Sequence, residues 1–264
     1  MTTTFHFRLA LASLLALAGG DAYAQAFAAR VMPPRFEAAV KPGETYRNVI
    51  EIHHESELDA RYVIRTADWT IDPSGTAKFE YALQPGSCRP WVGLEAAELR
   101  IAPKGRRRFR YEVAVPADAP AGQCRFAIMV EGEPKMSGAG VPVAGRIAVI
   151  VYLTIGDAAA SLSVTGGKRL EEEGRDIPAA VVVNSGNAHG RLEGIVDGVD
   201  AAGKRWSLAP ANHPILPGVT RVIPLRPVDD AAQDANAPIS FPIHIKGSLD
   251  WGSQRIPVDT TVAR

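Results

Sequence analysis

Residue types that can do chemistry are sparse in this chain and widely spaced. Of the six histidines, only His53 and His54 are adjacent. Neighbouring side chains on an extended strand point to opposite faces, so this pair cannot chelate one ion as a unit. A metal site there would need His189, His213 or His244 brought in from afar. Solvated or core histidines explain the pair better, and no metal is expected. The chain holds no G-x-S-x-G, H-E-x-x-H, Walker A or G-x-G-x-x-G run. No catalytic residue and no cofactor are therefore assigned, and the chain is read as a non-enzyme. Its two cysteines, Cys88 and Cys124, lack C-x-x-C or Cys/His ligand spacing, which argues against zinc and redox chemistry. The densest basic run, Lys104–Arg110, alternates with aromatics and reads as the solvent face of a strand. Lys+Arg and Asp+Glu both number 29, so no global field draws nucleic acid or an anionic membrane. Glu171-Glu172-Glu173 reads as a solvated strand end or turn. Trp69, Trp91, Trp206 and Trp251 read as core or interdomain packing rather than as a sugar platform.

The start of the chain fixes where any such residues would work. Met1–Arg8 is a short n-region, Leu9–Ala18 is an unbroken apolar run, and Asp21-Ala22-Tyr23-Ala24 offers a small-x-small cleavage site. This is the layout of a secretory signal peptide, cut after Ala24 or, as second choice, after Ala26. The apolar run is about half the roughly 20 residues of a bilayer span, which disfavours an uncleaved anchor. No later stretch is long and apolar enough to span. Export to the periplasm makes a disulfide permissible, so Cys88 and Cys124 are expected to be bridged rather than left as two buried thiols.

The elements that must position these residues are strands. Phe109, Tyr111, Val113 and Val115 share one face of a period-two pattern, while Arg108, Arg110 and Glu112 share the other. That marks a half-buried antiparallel strand. Similar runs are read at Asn48–His53, Arg61–Trp69, Ala77–Leu83, Glu98–Ile101, Cys124–Glu131 and Val141–Ile155, the last read as one long strand. Lys41-Pro42-Gly43, Pro103-Lys104-Gly105 and the Pro116–Gly122 stretch are turn signals between them. About seven short strands at this spacing predict an immunoglobulin-like sandwich. The pattern stops at Gly156-Asp157 and restarts with Ser161–Val164, Pro178–Asn184, Gly190–Val196, Arg205–Leu208, Thr220–Leu225, Ile239–Gly247 and Arg255–Val262. The fold class is thus all-β, with two immunoglobulin-like β-sandwich domains at 25–157 and 158–264 after a cleaved signal peptide at 1–24. Pro227–Pro238 reads as a loop. The small-residue run Met136–Gly145 feeds the strand Arg146–Ile155, which could lie at a sheet edge and lend its backbone to another chain. An ordinary last strand of a sandwich is the plainer alternative.

Several short runs, in order, give this chain a family resemblance. Met32-Pro-Pro-Arg-Phe-Glu37, Ile50–Ser56, Asp68-Trp69, Leu99–Pro103, Gly145–Tyr152, Asn184–His189 and Ile215–Gly218 resemble segments of the periplasmic chaperones of the chaperone–usher pilus pathway, the PapD-like group. The resemblance implies two immunoglobulin-like domains set at an angle. It also implies a chaperone that completes a pilus or fimbrial subunit by donor-strand complementation, with the outer-membrane usher as a further partner. Ala139, Val141 and Val143 match the donated side chains, and Ile147 and Val149 continue that face. The family holds the subunit's terminal carboxylate with two basic residues. The first maps onto Arg35. The second is normally a Lys, but here that position is Ala148, and Arg146 is the available substitute, expected on the opposite face of a regular strand. Pro42-Gly43-Glu44, Pro103-Lys104-Gly105 and Pro116–Gly122 also resemble the paired immunoglobulin-like modules of surface proteins. A non-catalytic cell-surface or periplasmic adhesion module is therefore the alternative function.

Overall fold

The computed structural model describes residues 28–72, 75–136, 140–228 and 237–263. The export segment 1–24, Ala139 and most of the Pro227–Pro238 loop lie outside the described residues. Nearly all regular structure is strand. A single 3-10 turn, Arg89–Trp91, is the one helical element among the described residues, and no helix there is long and apolar enough to cross a membrane.

The first sandwich pairs two sheets. One runs in the order β1 (Ala29–Met32), β3 (Thr45–His54), β8 (Arg106–Ala114), β6 (Val92–Leu94). The other runs β2 (Arg35–Val40), β12 (Arg146–Ile155), β9 (Gly122–Gly132), β4 (Ala60–Ile71), β5 (Ala77–Glu80), with β7 (Glu98–Ile101) on the same side of β4 as β5. Period two decides what each strand buries. On β8, Arg108 and Arg110 stand in solvent against Glu51 and Glu95, Glu112 on the same face pairs with Arg47 of β3, and Phe109, Tyr111 and Val113 point into the core. They meet Phe126, Ile128 and Val130 of β9 and Val149, Val151, Leu153 and Ile155 of β12, all with at most 2 % of their surface exposed. The basic run is therefore the solvent face of a strand. His54 is buried and bonded to the Tyr62 hydroxyl (2.7 Å) and the Leu58 carbonyl (2.6 Å), while His53 points the other way towards Glu51. Cys88 and Cys124 are bridged, as expected, with their Cα atoms 5.5 Å apart, tying the 3-10 turn to the central strand β9.

The second sandwich is one continuous seven-stranded antiparallel sheet. Its order is β13 (Leu162–Glu172), β14 (Arg175–Asn184), β17 (Thr220–Pro227), β16 (Arg205–Pro210), β15 (Val196–Asp200), β18 (Ile243–Trp251), β19 (Gln254–Val262). The sheet curls so that its two end strands meet, where the Gln254 amide bridges both backbone groups of Leu162. Trp206, Leu208, Ile223, Leu225, Ile245 and Ile256 fill the interior. The buried Trp206 indole donates to Asp200 (3.0 Å), whose carboxylate also accepts from the Ala202, Lys204 and Ser240 amides. No strand pairing crosses residues 156–161.

Some strand readings need correction: Ile239–Gly247 becomes strand only from Ile243, where β18 begins. Val141–Ile155 is broken: β11 (Pro142–Val143) pairs with β10 (Lys135–Met136), the chain leaves the ladder at Ala144-Gly145, and β12 then begins. Ala77–Leu83 stops at Glu80. Gly190–Val196 is mostly irregular, because Gly190 makes only an isolated bridge to Ile215 and β15 starts at Val196.

Candidate functional site

Two features of the second sheet stand out, a strand edge and a charged cleft. The edge exists because of two prolines. β2 runs parallel to β12 from Arg35 opposite Ile150 to Val40 opposite Ile155, and the Ile150 amide donates to the Pro34 carbonyl (3.1 Å). Beyond that point Pro34 and Pro33 have no N–H to give, so the ladder cannot continue. The chain crosses to the other sheet as β1 instead. Arg146–Val149 is left paired to β9 on one side only, with no strand on its other edge among the described residues. An unpaired edge of this kind is a template for another chain.

Upstream of that edge, Val141 and Val143 are 56 % and 43 % exposed, and Met136 on the facing strand is 69 % exposed. Among the described residues this two-stranded arm pairs with none of the three larger sheets. Val149 is fully buried in the protein's own core and Ile147 packs half-buried against it. Their side chains are committed inward, so only their backbone is available at the edge. Ala139 lies outside the described residues.

The even residues of β12 face outwards together with Arg35 and Glu37 of β2, since Arg35 is in register with Ile150 and Glu37 with Tyr152. Arg146 and Ala148 share this face, contrary to the expectation that Arg146 would lie opposite. Residues two apart on a strand point the same way. Arg146 nevertheless stands four residues, roughly 13 Å, up the strand from Ile150. It lies beside Tyr81 there, in register with Glu131 of β9, while Arg35 reaches the other way to Glu37. The structure therefore does not bring Arg35 and Arg146 together.

What it does gather around Glu37 is a cleft between the two sandwiches. The Arg35 Nε lies 2.7 Å from Glu37 Oε1 and Arg191 approaches the same oxygen at 3.7 Å, while His189 Nε2 faces Oε2 at 3.5 Å. Local sequence puts His189 there. Asn184, fully buried, accepts from the Ser161 and Gly186 amides and donates to the Ala188 and Ile215 carbonyls. Gly186 is required at its position, because a Cβ would sit 2.3 Å from the Ala159 carbonyl oxygen. The loop so shaped docks on the first sandwich through Asn187 to the Ala121 carbonyl (3.2 Å). Gln123 closes the contact: its Oε1 accepts from the His189 amide (3.1 Å) and its Nε2 lies 2.6 Å from His189 Nδ1. With the amide oriented by the backbone bond, Nδ1 must accept, and the neutral ring carries its proton on Nε2, towards Glu37.

Aromatic rings wall this group. Tyr152 stacks on His189 at 3.8 Å and meets Trp69 edge-on, and Trp251 tilts against His189 from the second sandwich. Leu216, from the second sandwich, packs with Trp69, Ala127, Met129 and Tyr152. A cavity of about 360 Å³ opens beside Glu37, Tyr152, His189 and Trp251. The His189 ring facing it at 3.5 Å holds the Glu37 carboxyl below its usual range, with the nearby arginines adding to the effect. Burial holds His189 below its usual value, and burial pushes the Tyr152 hydroxyl up to about 12. Burial also lowers Arg125 and Arg191, and the Nε atoms of both are buried without a hydrogen-bond partner. Glu37, Arg125, Tyr152 and Arg191 carried no recognisable spacing in the sequence. His189 was legible as the end of the Asn184–His189 run, but not as a cleft residue. No group of residues that could hold a metal is present among the described residues.

No protein-family model matches the chain, and no curated protein matches it in sequence. Among solved structures it is similar to the class 5 fimbriae chaperone CfaA, with a TM-score of 0.49 at 11 % identity over 88 % of this chain and 98 % of that one. It is also similar to a chain of the CsuC–CsuE chaperone–tip adhesion subunit pre-assembly complex from Acinetobacter baumannii, with a TM-score of 0.47 at 12 % identity over 90 % and 100 %. A third similar structure is the E. coli chaperone DraB, with a TM-score of 0.43 at 10 % identity over 89 % and 97 %.

Proposed function

We propose that this chain is an exported periplasmic chaperone for pilus or fimbrial subunits, acting by donor-strand complementation. The observation that carries the reading is the one-sided edge Arg146–Val149, continued upstream by an arm with exposed Val141 and Val143. Main-chain hydrogen bonds along such an edge supply affinity, and alternate apolar side chains fill pockets in the partner. Val141 and Val143, with Ala139, are the donated side chains. Ile147 and Val149 lend backbone alone. The client is an exported β protein that lacks a strand, and an outer-membrane usher receives the complex. Arg35 anchors the client's terminal carboxylate at the cleft.

Purification of the full chain from periplasm tests this. A small exported β protein should come with it. Replacing both Val141 and Val143 with Asp should abolish that capture without unfolding the chaperone, since a charge cannot enter an apolar pocket unpaired. Arg35→Ala should weaken capture by about 2–5 kcal/mol, much of it the cost of leaving the carboxylate unpaired. Capture at parental level by both variants would reject the donor-strand mechanism and leave a two-domain adhesion module as the better reading.

A further inference from the structure

We infer that the carboxylate clamp of this protein is formed by Arg35 and Arg191, one from each sandwich, and that Glu37 occupies it until a client's terminal carboxylate displaces it. This deepens the chaperone reading and rests on it for the identity of the incoming ligand. The position that would supply a second cation from β12 is Ala148, and Arg146 stands four residues up the strand from Ile150, the partner of Arg35, beside Tyr81. Arg191 replaces both. Its guanidinium addresses the same Glu37 oxygen as Arg35 does, at 3.7 Å against 2.7 Å. Two arginines converging on one oxygen already describe how a carboxylate is bound between them.

Arg191 is built into place. Its side chain is only 5 % exposed, and its Nη1 donates to the Asn212 carbonyl (3.1 Å) and Oδ1 (3.3 Å). Its Nε is buried without a partner, so the group retains an unused donor. Glu37 is the one carboxylate within ion-pair distance of Arg35 or Arg191 among the described residues. Burying a guanidinium is costly unless an anion answers it. Glu37 is well suited to give way, because its side chain is about one third exposed (32 %), on the open side of the cleft. An incoming carboxylate would take over the same two arginines, so one anion replaces another and no buried charge is stranded. The clamp also spans the two sandwiches, so occupancy by a client engages both.

The full chain with Glu37→Ala is tested against sodium acetate as a stand-in carboxylate, with sodium chloride at equal ionic strength as reference. The thermal midpoint of this variant should rise saturably with acetate over chloride, while the parent, whose clamp is filled, should not respond. Glu37→Ala combined with Arg191→Gln should lose the response. If Glu37→Ala does not fold, Glu37→Gln is read in the same way. An equal acetate response in parent and variant, or one that survives Arg191→Gln, overturns the clamp. In the periplasmic capture assay, Glu37→Gln should retain at least threefold more client than the parent. Equal or lower capture overturns the placeholder role. If no exported protein accompanies any variant, the chaperone reading fails, and the acetate series still decides the clamp.

Discussion

His189 shows how a single side chain can join two sandwiches and make their union depend on pH. Its ring is held neutral by burial between Tyr152 and Trp251, and its proton is directed at Glu37 by the Gln123 amide. A group whose folded value is depressed lets the unfolded chain bind protons first as pH falls. The stability it contributes is complete above its ordinary value of 6.5 and is lost as pH drops through the lower folded value. Glu37, also depressed, adds a further loss below about 4.5. The thermal midpoint should therefore fall between pH 7 and pH 5 and steepen below that. His189→Gln should flatten the upper part of the curve, leaving the contribution of His213, which burial lowers in the same sense. An unchanged slope in the variant would show that the cleft histidine is not the group titrating. The sequence marked this residue only as the end of the Asn184–His189 run, without its role in the cleft. Its partners Glu37, Gln123 and Tyr152 sit on three different strands, and contacts made by folding leave no local spacing to read.

At the scale of the element, β12 divides into parts with different duties. Its alternation was legible because Ile147, Val149, Val151, Leu153 and Ile155 repeat with period two. The break at Ala144-Gly145 was not, because small residues fit a strand or a bend equally well. Nor was the end of the β2 ladder, although Pro33-Pro34 is its cause and was plainly visible. Which neighbour a proline deprives of a hydrogen bond depends on the pairing. The division predicts opposite results for similar substitutions. Val149→Asp puts an unpaired charge into the core of the first sandwich and should prevent its folding. Val143→Asp changes an exposed site and should leave urea unfolding within about 0.5 kcal/mol of the parent. Leu153→Ala, further along the same inward face, should cost about 2–5 kcal/mol. If Val149→Asp unfolded no more easily than Val143→Asp, the inward orientation of Val149 would be wrong.

For the whole molecule, the restart of the strand pattern after Gly156 made two sandwiches readable, since turn residues and β-branched runs are local signals. The way the sandwiches meet was not readable, because it rests on Leu216, Asn187 and the loop shaped by Asn184 rather than on any repeated pattern. The bridge between Cys88 and Cys124 was readable by count alone. It closes a loop with a sequence separation of 36, which in the chain-entropy model contributes about 3–4 kcal/mol. Cys88→Ser with Cys124→Ser should lower the stability of the first sandwich by that amount in urea, with little change in the second, whose core contains neither residue. The same bridge bears on biogenesis. With two cysteines in the sequence, one intramolecular pairing exists, whereas six would allow fifteen. A wrong partner cannot be chosen between these two cysteines, so, under the proposed export, maturation calls for a thiol oxidant and no isomerase. Cells lacking the oxidant should accumulate reduced protein, while loss of the shuffling enzyme should leave its yield untouched.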